Sequence, residues 1–409
     1  MRVAMISEHA SPLAELGGID EGGQNQHVAC LSAAVAELGH EVRVYTRQNS
    51  PEQARRVAAG PGVTVVHVPA GPPAPVSKDQ RLPYLRPFGR WLAESWQDSD
   101  WRPDVVHAHF WMSGLAALVA QASVPRPIVQ SFHTLGTVKR RYQREQDTSP
   151  ASRVMLERVV GQQADRVVAQ SSDETLELVQ LGVPRSRIVL APSGVDTRIF
   201  SPAGPAAPRR PGRPRILTVG RLVERKGYAD LIQALTRIPD AELVIVGGPP
   251  ATRLPEDPLA RRLQELAVRV GVADRVRLVG SVPPAELPWW YRSAEVLACT
   301  PWYEPFGLTA LEGMACGAPV VASAVGGLTD TVVDRVTGDL VPPRDPDAIA
   351  TAIRRLLADP VRRLGYAAAA TDRARQRYSW SHTADRVTAA YHAVCTPSRL
   401  AGEGAGVSP

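Results

Sequence analysis

The most constraining feature of the sequence is a repeated alternation of short, β-branched apolar runs with longer stretches of helical periodicity. The runs are continuously apolar, which is typical of parallel strands covered on both faces by helices. The helical stretches between them complete βαβ units. In the first half, strands are predicted at residues 3–7, 42–46, 63–68, 105–108, 128–131, 167–169 and 188–190. In the second half, they are predicted at residues 216–219, 243–246, 276–279, 296–299 and 320–322.

A break in this alternation divides the chain. Residues 201–214 are rich in Pro, Gly and Ala without apolar periodicity, which indicates a linker. A length of 409 residues also exceeds one ordinary core. We therefore predict an α/β fold with two Rossmann-like, doubly wound domains, residues 1–200 and 215–378, that face a cleft. Ligands are expected in that cleft, at the carboxyl ends of the strands. Residues 396–409 are expected to form a disordered tail.

Composition excludes several classes of protein. The 47 basic and 41 acidic residues are spread along the chain, whereas a nucleic-acid partner would favour one basic patch. No apolar run approaches the roughly 18 residues of a membrane span, and the N-terminus lacks the pattern of a signal peptide. The four cysteines form no Cys-x-x-Cys pair, which argues against a zinc or redox motif and suits a reducing cytoplasm. We expect a cytoplasmic protein without nucleic-acid or membrane partners; the sequence leaves a homodimer open.

The first glycine turn contains Gly17, Gly18, Gly22 and Gly23, between a predicted strand and a predicted helix. Backbone amides in such a turn can approach a phosphate, and the helix N-terminus adds positive potential. The spacing differs from Gly-x-Gly-x-x-Gly, and no acidic residue ends the second strand. A dinucleotide dehydrogenase is therefore disfavoured. The alternative is a flexible loop without a ligand.

A second glycine turn carries two cations. Gly220 and Arg221 end a predicted strand, and Lys226 follows five residues later. The Arg221 fork and the compact Lys226 ammonium are suited to stabilise a departing diphosphate without a metal ion. Only three of the 47 basic residues are lysines, so each lysine marks a position that prefers an ammonium group. The alternative is a solvated basic loop.

A third motif places two carboxylates around a helix start. Glu304 precedes Phe306, Gly307 and Leu308, where a helix is predicted to begin, and Glu312 lies one turn inside it. Both carboxylates then face one edge of the cleft. The backbone amides at the helix start would bind an anion or a sugar. Two carboxylates alone would also suit a glycoside hydrolase.

Three histidines, His107, His109 and His133, lie near the ends of successive predicted strands. We expect His133 to line the site and His107 and His109 to be structural. No carboxylate lies at ligand spacing, so we predict no metal site. Asp98 and Asp100 form an Asp-x-Asp sequence at a predicted helix end, where a solvated turn is expected.

The segment 84–96 is aromatic and basic. A helix of this kind can lie on a membrane surface. Pro87 and Gly89 are expected to interrupt the helix, and packing on the core explains the same aromatic spacing, so we favour the core interpretation.

Taken together, these motifs resemble the retaining GT-B glycosyltransferases of the group 1 family, family 4 by sequence class. The resemblance spans about residues 1–395. It rests on Gly22-Gly23, Ser193-Gly194-Val195-Asp196, Gly220-Arg221, Lys226-Gly227, Glu304 to Leu308, Glu312 and Gly326-Gly327. It implies a nucleotide-sugar donor held by the second domain, and a final helix at 379–395 that crosses back to the first domain.

The family assigns roles to the matching donor-side residues. Arg221 and Lys226 match the diphosphate-binding pair, and Glu312 matches the carboxylate that binds the ribose. Glu304 and the backbone of 306–308 (Phe306, Gly307 and Leu308) match the contacts to the donor sugar. Gly23 matches the first-domain loop that approaches the diphosphate. With His133, these residues form the predicted catalytic and donor-binding set, and no metal or other cofactor is implied.

The first domain looks most like inositol-phosphate N-acetylglucosaminyltransferases, aminoglycoside-type transferases and sucrose-phosphate synthases. Asn25 belongs to this likeness and is predicted to bind the acceptor. Lys78, Thr134 and Arg153 match residues that hold an acceptor phosphate in the inositol-phosphate enzymes. Phe110 stands where those enzymes have a tyrosine. The lost hydroxyl slightly favours an unphosphorylated acceptor, such as a cyclitol, aminocyclitol or sugar, whereas the retained cations favour a phosphorylated one.

The predicted reaction is therefore retaining transfer from a nucleotide diphosphate sugar, with UDP favoured, to a small polar acceptor. One alternative is a GDP-mannose-dependent mannosyltransferase that uses a lipid acceptor at the membrane. An alternative of another class is a non-catalytic sugar-nucleotide-binding partner.

Overall fold

The first half of the chain forms an eight-stranded sheet with strand order β3-β4-β2-β1-β5-β6-β7-β8. The strands are parallel except at the edge, where β3 runs antiparallel to β4. Strand β1 lies between β2 and β5, so the direction of winding reverses there. The elements are β1 Arg2–Ile6, α1 Gly23–Glu37, β2 Glu41–Arg47, β3 Arg56–Gly60, β4 Val63–Val68, α2 Leu85–Gln97, β5 Val105–His109, α3 Trp111–Gln121, β6 Ile128–Ser131, α4 Gly136–Gln143, α5 Arg153–Gln163, β7 Arg166–Ala169, α6 Ser172–Gln180 and β8 Ile188–Leu190.

The second half forms a six-stranded parallel sheet with order β11-β10-β9-β12-β13-β14. Strand β9 pairs with β10 and β12, which makes a second reversal point. The elements are β9 Arg215–Val219, α7 Tyr228–Leu235, β10 Glu242–Val246, α8 Pro258–Arg269, β11 Val276–Gly280, α9 Leu287–Arg292, β12 Val296–Cys299, α10 Leu308–Ala315, β13 Val320–Ser323, α11 Leu328–Thr331, β14 Gly338–Val341, α12 Pro346–Ala358, α13 Pro360–Arg377 and α14 Trp380–Cys395.

This structure is a computed structural model, and it describes residues 1–14 and 23–396. Gly17, Gly18 and Gly22 of the predicted glycine turn lie outside the described residues, as does the predicted tail beyond residue 396. The predicted α/β class with two Rossmann-like domains is confirmed.

Every predicted strand is present, with ends within one residue of the prediction, but two strands were missed. Strand β3 is an edge strand with largely exposed side chains, and it has no apolar run to detect. Strand β14 begins with Gly338 and Asp339, residues that disfavour strands in general. Both are edge strands, but only β3 is exposed; β14 is largely buried and was missed because of its Gly-Asp start.

The last helix, α14, packs on the first sheet rather than on its own sequence neighbours. Trp380, Ala384, Val387 and Tyr391 join the apolar core on one face of that sheet. Tyr391 also forms a hydrogen bond of 2.6 Å from its hydroxyl to His107 Nδ1, at the centre of the first sheet. The helix therefore ties the end of the chain to the first half.

The aromatic segment forms the uninterrupted helix α2, which corrects the expectation that Pro87 and Gly89 break it. Pro87 lies in the first turn, where a backbone N–H has no helical partner to lose. A Cβ at Gly89 would lie 2.5 Å from the Ala116 carbonyl oxygen, so glycine lets α2 approach α3 closely. Phe88 and Trp96 are buried in the core, which confirms the core interpretation.

Across residues 1–14 and 23–396, none of the helices has both the length and the apolar content needed to cross a bilayer. Asp98 and Asp100 lie on the exposed turn after α2, as expected.

Candidate active site

The two reversal points place the helix starts of the two halves opposite each other. A Cβ at Gly23, the first residue of α1, would lie 3.4 Å from Leu308 Cδ1 at the start of α10. The carboxyl ends of β1 and β12 lead towards this contact. The cleft predicted at the carboxyl ends of the strands is therefore narrow, and helix N-termini border it from both sides.

Lys226 and Glu304 form the central ion pair of the second half, with 2.6 Å between Lys226 Nζ and Glu304 Oε2. Both side chains are only 15% exposed. Arg225 lies 3.7 Å from the same carboxylate. Burial raises the pKa of Glu304, but the Lys226 and Arg225 cations outweigh burial and leave the pKa below its usual value. Glu304 is therefore an ionised carboxylate near neutral pH.

A pocket opens beside this ion pair, at the carboxyl ends of β9 and β12. Its polar lining consists of Lys226, Glu304 and three threonines, with Gly307 at the start of α10. Arg221 is exposed at the end of β9, and its charge also lowers the pKa of Glu304. The pocket thus combines cations, one anion and a helix start, a combination suited to a ligand with both phosphate and hydroxyl groups.

The loop between Glu304 and α10 is shaped by glycines. Gly307 has a φ of 93°, in the left-handed region, and it is the N-cap of α10. A Cβ at Gly307 would lie 2.6 Å from Leu328 Cδ2. The Gly327 backbone N–H donates a hydrogen bond of 3.0 Å to the Glu304 carbonyl oxygen. This bond holds the loop against the Gly326-Gly327 sequence. Phe306 is buried, which leaves its backbone, rather than its ring, for contact with a ligand.

Glu312 is buried one turn inside α10 and receives two hydrogen bonds. The Tyr291 hydroxyl, from the same half of the chain, donates a hydrogen bond of 2.7 Å to Glu312 Oε2. Gln26, on α1 of the other half, donates a hydrogen bond of 3.3 Å from Nε2 to Glu312 Oε1. Burial raises the pKa of Glu312 above its usual value. This carboxylate therefore lies where the two halves of the molecule meet.

The histidines form a buried group that is larger than the sequence indicated, because His27 on α1 joins it. His109 Nδ1 lies 3.0 Å from His133 Nε2. Gln170 Nε2 lies 3.0 Å from His133 Nδ1 and 3.2 Å from His27 Nδ1. Burial lowers the pKa of His27 and of His107 to about 3, and the pKa of His133 is also well below its usual value. All are neutral at pH 7.

Cations surround the ring of Phe110, which is only 2% exposed. Lys78 Nζ lies 3.7 Å from the ring centroid, and the Arg153 guanidinium carbon lies 5.1 Å from it. His9 packs edge-on against the same ring, with 4.9 Å between centroids. The structure therefore brings together Lys78, Phe110 and Arg153, as the sequence predicted.

The remaining predicted acceptor residues have internal partners. Arg153 binds Glu157 Oε1 at 2.7 Å and the Thr134 carbonyl oxygen at 2.7 Å. The Thr134 hydroxyl donates a hydrogen bond of 2.7 Å to the His133 carbonyl oxygen. Asn25 is buried and donates a hydrogen bond of 3.0 Å to the Ser11 carbonyl oxygen. This bond joins α1 to the loop after β1. The contacts of Arg153 and Thr134 position the loop that contains His133.

Comparison with known proteins assigns the chain to a family. Residues 21–199 match glycosyltransferase family 4, and residues 205–377 match the glycosyl transferases of group 1. The D-inositol 3-phosphate glycosyltransferase of Kribbella flavida is 38% identical over 404 residues, which cover 95% of each chain.

The chain is a family 4 glycosyltransferase. The enzyme of the same name from Xylanimonas cellulosilytica is 40% identical over 399 residues and 94% of each chain. Among solved structures, the sucrose-phosphate synthase of Thermosynechococcus elongatus superposes with a TM-score of 0.86 at 31% identity, covering 96% of this chain and 98% of the other. The two sheets of this glycosyltransferase are thus the two domains of the GT-B fold.

Sequence reasoning missed several contacts in this glycosyltransferase. Tyr142 on α4 stacks on Tyr303, which precedes Glu304 in the other domain, with ring centroids 4.9 Å apart and planes 19° apart. Glu8, immediately after β1, lies 2.9 Å from His9 and 3.8 Å from Arg81, all within the core of the first domain. The position of Glu8 and His9 at the end of a buried strand was the available signal; the tyrosine stack had none, because it depends on how the domains pack.

Proposed function

We propose that this glycosyltransferase transfers a sugar, with retention of configuration, from a UDP-sugar to a hydroxyl group of a small phosphorylated cyclitol or sugar. The observation that carries the proposal is the pocket of Lys226, Glu304 and Gly307 at the carboxyl end of β9, with Arg221 beside it. The choice of UDP and the retention of configuration rest on the family resemblance.

In the proposed reaction, the bond between the sugar and the diphosphate loosens as negative charge moves onto the β-phosphate. Lys226 and Arg221 stabilise that charge, as preorganised donors do in other transferases. The backbone amides at the start of α10, after Gly307, add the positive end of a helix. Because Lys226 holds Glu304 in place, we assign Glu304 to orienting sugar hydroxyls rather than to forming a covalent bond.

The rest of the proposed site rests on the family resemblance. Glu312 binds the ribose, and the first-domain turn ending at Gly23 approaches the diphosphate. His133, neutral because burial lowers its pKa, lines the sugar site from the first domain. The first domain, residues 1–200, would then bind the acceptor, while residues 215–378 bind the donor. Domain closure brings the acceptor hydroxyl to the sugar.

The acceptor phosphate is proposed to bind beside Phe110. Lys78 and Arg153 both lie within about 6 Å of this buried ring, the range of cation–π contact. Glu157 already pairs with Arg153, and the charge of Lys78 also acts on Glu8, but the combined positive charge beside this ring still suits a bound anion. The relatives named above act on inositol 3-phosphate, which supports the same choice. In the sequence, the missing hydroxyl at Phe110 slightly favoured an unphosphorylated acceptor. The positions of the two cations favour a phosphorylated one.

The decisive experiment is a screen of UDP- and GDP-sugars for turnover with matched phosphorylated and unphosphorylated cyclitols. We expect turnover with a UDP-sugar and a phosphorylated cyclitol. Turnover with GDP-mannose only on lipid acceptors, together with co-sedimentation with liposomes, would instead establish the membrane mannosyltransferase. Donor binding without transfer to any acceptor, and without donor hydrolysis, would support a non-catalytic binding partner.

A further inference from the structure

Three imidazoles from separate elements meet beside the carboxyl ends of β5 and β6. His27 lies on α1, His109 ends β5 and His133 follows β6. One nitrogen from each ring lies within 4.8 Å of the other two. The sequence has no carboxylate at ligand spacing from these strand ends, and His27 joins them from a helix rather than from a strand.

The contact between His109 and His133 has the geometry of a bridged pair. Their rings are nearly parallel, at 20°, with centroids 5.3 Å apart and 3.0 Å between His109 Nδ1 and His133 Nε2. The bond therefore runs roughly in the plane of both rings, which is also the direction of a metal–imidazole bond. Two neutral imidazoles share one proton there. A tetrahedral Zn²⁺ with bonds of about 2.0–2.1 Å would set the two nitrogens about 3.4 Å apart. The ion can therefore take the place of that proton with a small shift, as the proton moves to the other nitrogen of its own imidazole and both rings stay neutral.

Polar side chains around the three imidazoles contact two of them and would orient those two as metal ligands. Gln170 lies beside the Nδ1 atoms of both His27 and His133, at 3.2 Å and 3.0 Å. Ser193 Oγ lies 2.7 Å from His27 Nδ1. With the Gln170 amide turned so that its oxygen accepts, both rings carry the proton on Nδ1 and keep the Nε2 lone pair for a metal. His109 Nε2 is buried and has no hydrogen-bond partner in the part of the chain that the structure describes.

We propose that His27, His109 and His133 form a binding site for a transition-metal ion of the Zn²⁺ type. Three neutral imidazoles suit zinc, copper or nickel, whereas Mg²⁺ prefers oxygen ligands. A fourth position is left for water or a substrate oxygen. The binding claim is independent of the proposed function. Its consequence rests on that function: the bound ion fixes the His133 imidazole, so micromolar Zn²⁺ inhibits sugar transfer.

Zinc binding is measured on the full chain with Zn²⁺ alone, by competition with a chromogenic chelator. We expect one Zn²⁺ per chain and a visible spectrum typical of tetrahedral nitrogen coordination when Co²⁺ replaces it. His27→Asn and His109→Asn should each weaken zinc binding tenfold or more, and Gln170→Leu should also weaken it. His382→Asn is the matched control, because His382 is exposed on α14.

Zinc should also raise the Tm of the wild type and of His382→Asn, but not that of His27→Asn. The Tm without metal shows whether each variant folds, so if His109→Asn fails to fold, His27→Asn decides. Unchanged zinc affinity in a folded His27→Asn variant would overturn the site. A further assay follows transfer with added Zn²⁺ and then EDTA. Zinc that binds at this site without slowing transfer would overturn the inhibitory role.

Discussion

Lys226 Nζ lies 2.6 Å from Glu304 Oε2, so the cation proposed for the diphosphate and the carboxylate proposed for the sugar hold each other in one pocket. The pair is largely shielded from water, and Arg225 completes it at 3.7 Å. A change at Lys226 therefore acts twice. It removes positive charge from the leaving group, and it releases the carboxylate that orients the sugar.

Replacing either proposed phosphate-binding cation should slow turnover. Arg221→Ala and Lys226→Ala are each expected to lower kcat by roughly 10²–10³-fold, by analogy with removing one preorganised donor to a transition-state charge. Steady-state kinetics with the accepted donor checks this, and Arg375→Ala, at an exposed arginine on α13, is the control. Near-normal turnover in either active-site variant would contradict the phosphate assignment.

The two variants should differ in stability. Arg221 is exposed, so Arg221→Ala should lower the Tm less than Lys226→Ala does. Lys226→Ala removes the nearest partner of the buried Glu304 carboxylate and leaves it with the more distant charges of Arg225 and Arg221, which should lower the Tm.

The tyrosine stack across the cleft should favour the closed form. Aromatic pairs contribute about 0.5–1.5 kcal/mol beyond burial, which is roughly 2- to 13-fold in an equilibrium. Tyr142→Ala is therefore expected to lower kcat/KM by a factor in that range, and to change the Kd of the free nucleotide less, because Tyr142 lies outside the proposed donor domain. Tyr142→Phe keeps the stack and should behave as wild type. Equal losses in both variants would assign the effect to the hydroxyl instead.

The sequence predicted most of the fold because strands buried on both faces require continuous apolar runs, as at Val63–Val68. It placed Glu304 and Glu312 around one helix start, since their spacing is local, whereas Lys226 meets Glu304 across 78 positions. Contacts between elements that are far apart in the sequence could not be predicted from it. Gln26 and Glu312 are 286 positions apart, and nothing in either segment indicates the partner. His27 was missed for the same reason, because it reaches the histidine group from a helix rather than a strand end.

Burial of neutral histidines should make stability depend on pH. The pKa of His107 is about 3 in the folded chain, well below its unfolded value near 6.5, so the unfolded state binds more protons between these values. His107 thus opposes folding as pH falls below about 6.5, by up to about 1.4 kcal/mol per pH unit. Buried acids such as Glu174, whose pKa is raised to about 7, act in the opposite direction over part of this range.

The measurement is therefore a comparison between variants. Chemical unfolding of wild type and His107→Gln from pH 7 to pH 5 should show that the variant loses less stability, or gains more, as the pH falls. His382→Gln, at an exposed site, should follow the wild type. Identical pH dependence in His107→Gln and wild type would mean that His107 does not titrate differently on unfolding.

Sugar transfer should survive EDTA. Arg221, Lys226 and a helix start supply the positive charge that a metal ion supplies in other transferases. Initial rates in EDTA should equal or exceed those in untreated buffer, since removal of trace zinc also frees the proposed histidine site. Loss of activity that only Mg²⁺ or Mn²⁺ restores would refute the metal-free mechanism.

Phe110 provides the sharpest test of the acceptor. If an acceptor phosphate binds between Lys78 and Arg153, Phe110→Tyr adds a hydroxyl donor to a charged oxygen, worth about 1.5–3 kcal/mol. The KM for the phosphorylated cyclitol should then fall roughly tenfold or more, since 1.4 kcal/mol is tenfold. The KM for the unphosphorylated compound should stay the same or rise, because the new hydroxyl is buried without an anion.

Phe110→Leu separates the hydroxyl from the ring, since it removes the surface over which Lys78 lies and adds no donor. It should raise the KM for the phosphorylated compound and leave kcat for the slow, unphosphorylated compound nearly unchanged. Wild type should already prefer the phosphorylated acceptor, because both cations are in place. A wild type that uses both acceptors equally, with Phe110→Tyr weakening both, would show that the cations around Phe110 stabilise the fold and that the acceptor is uncharged.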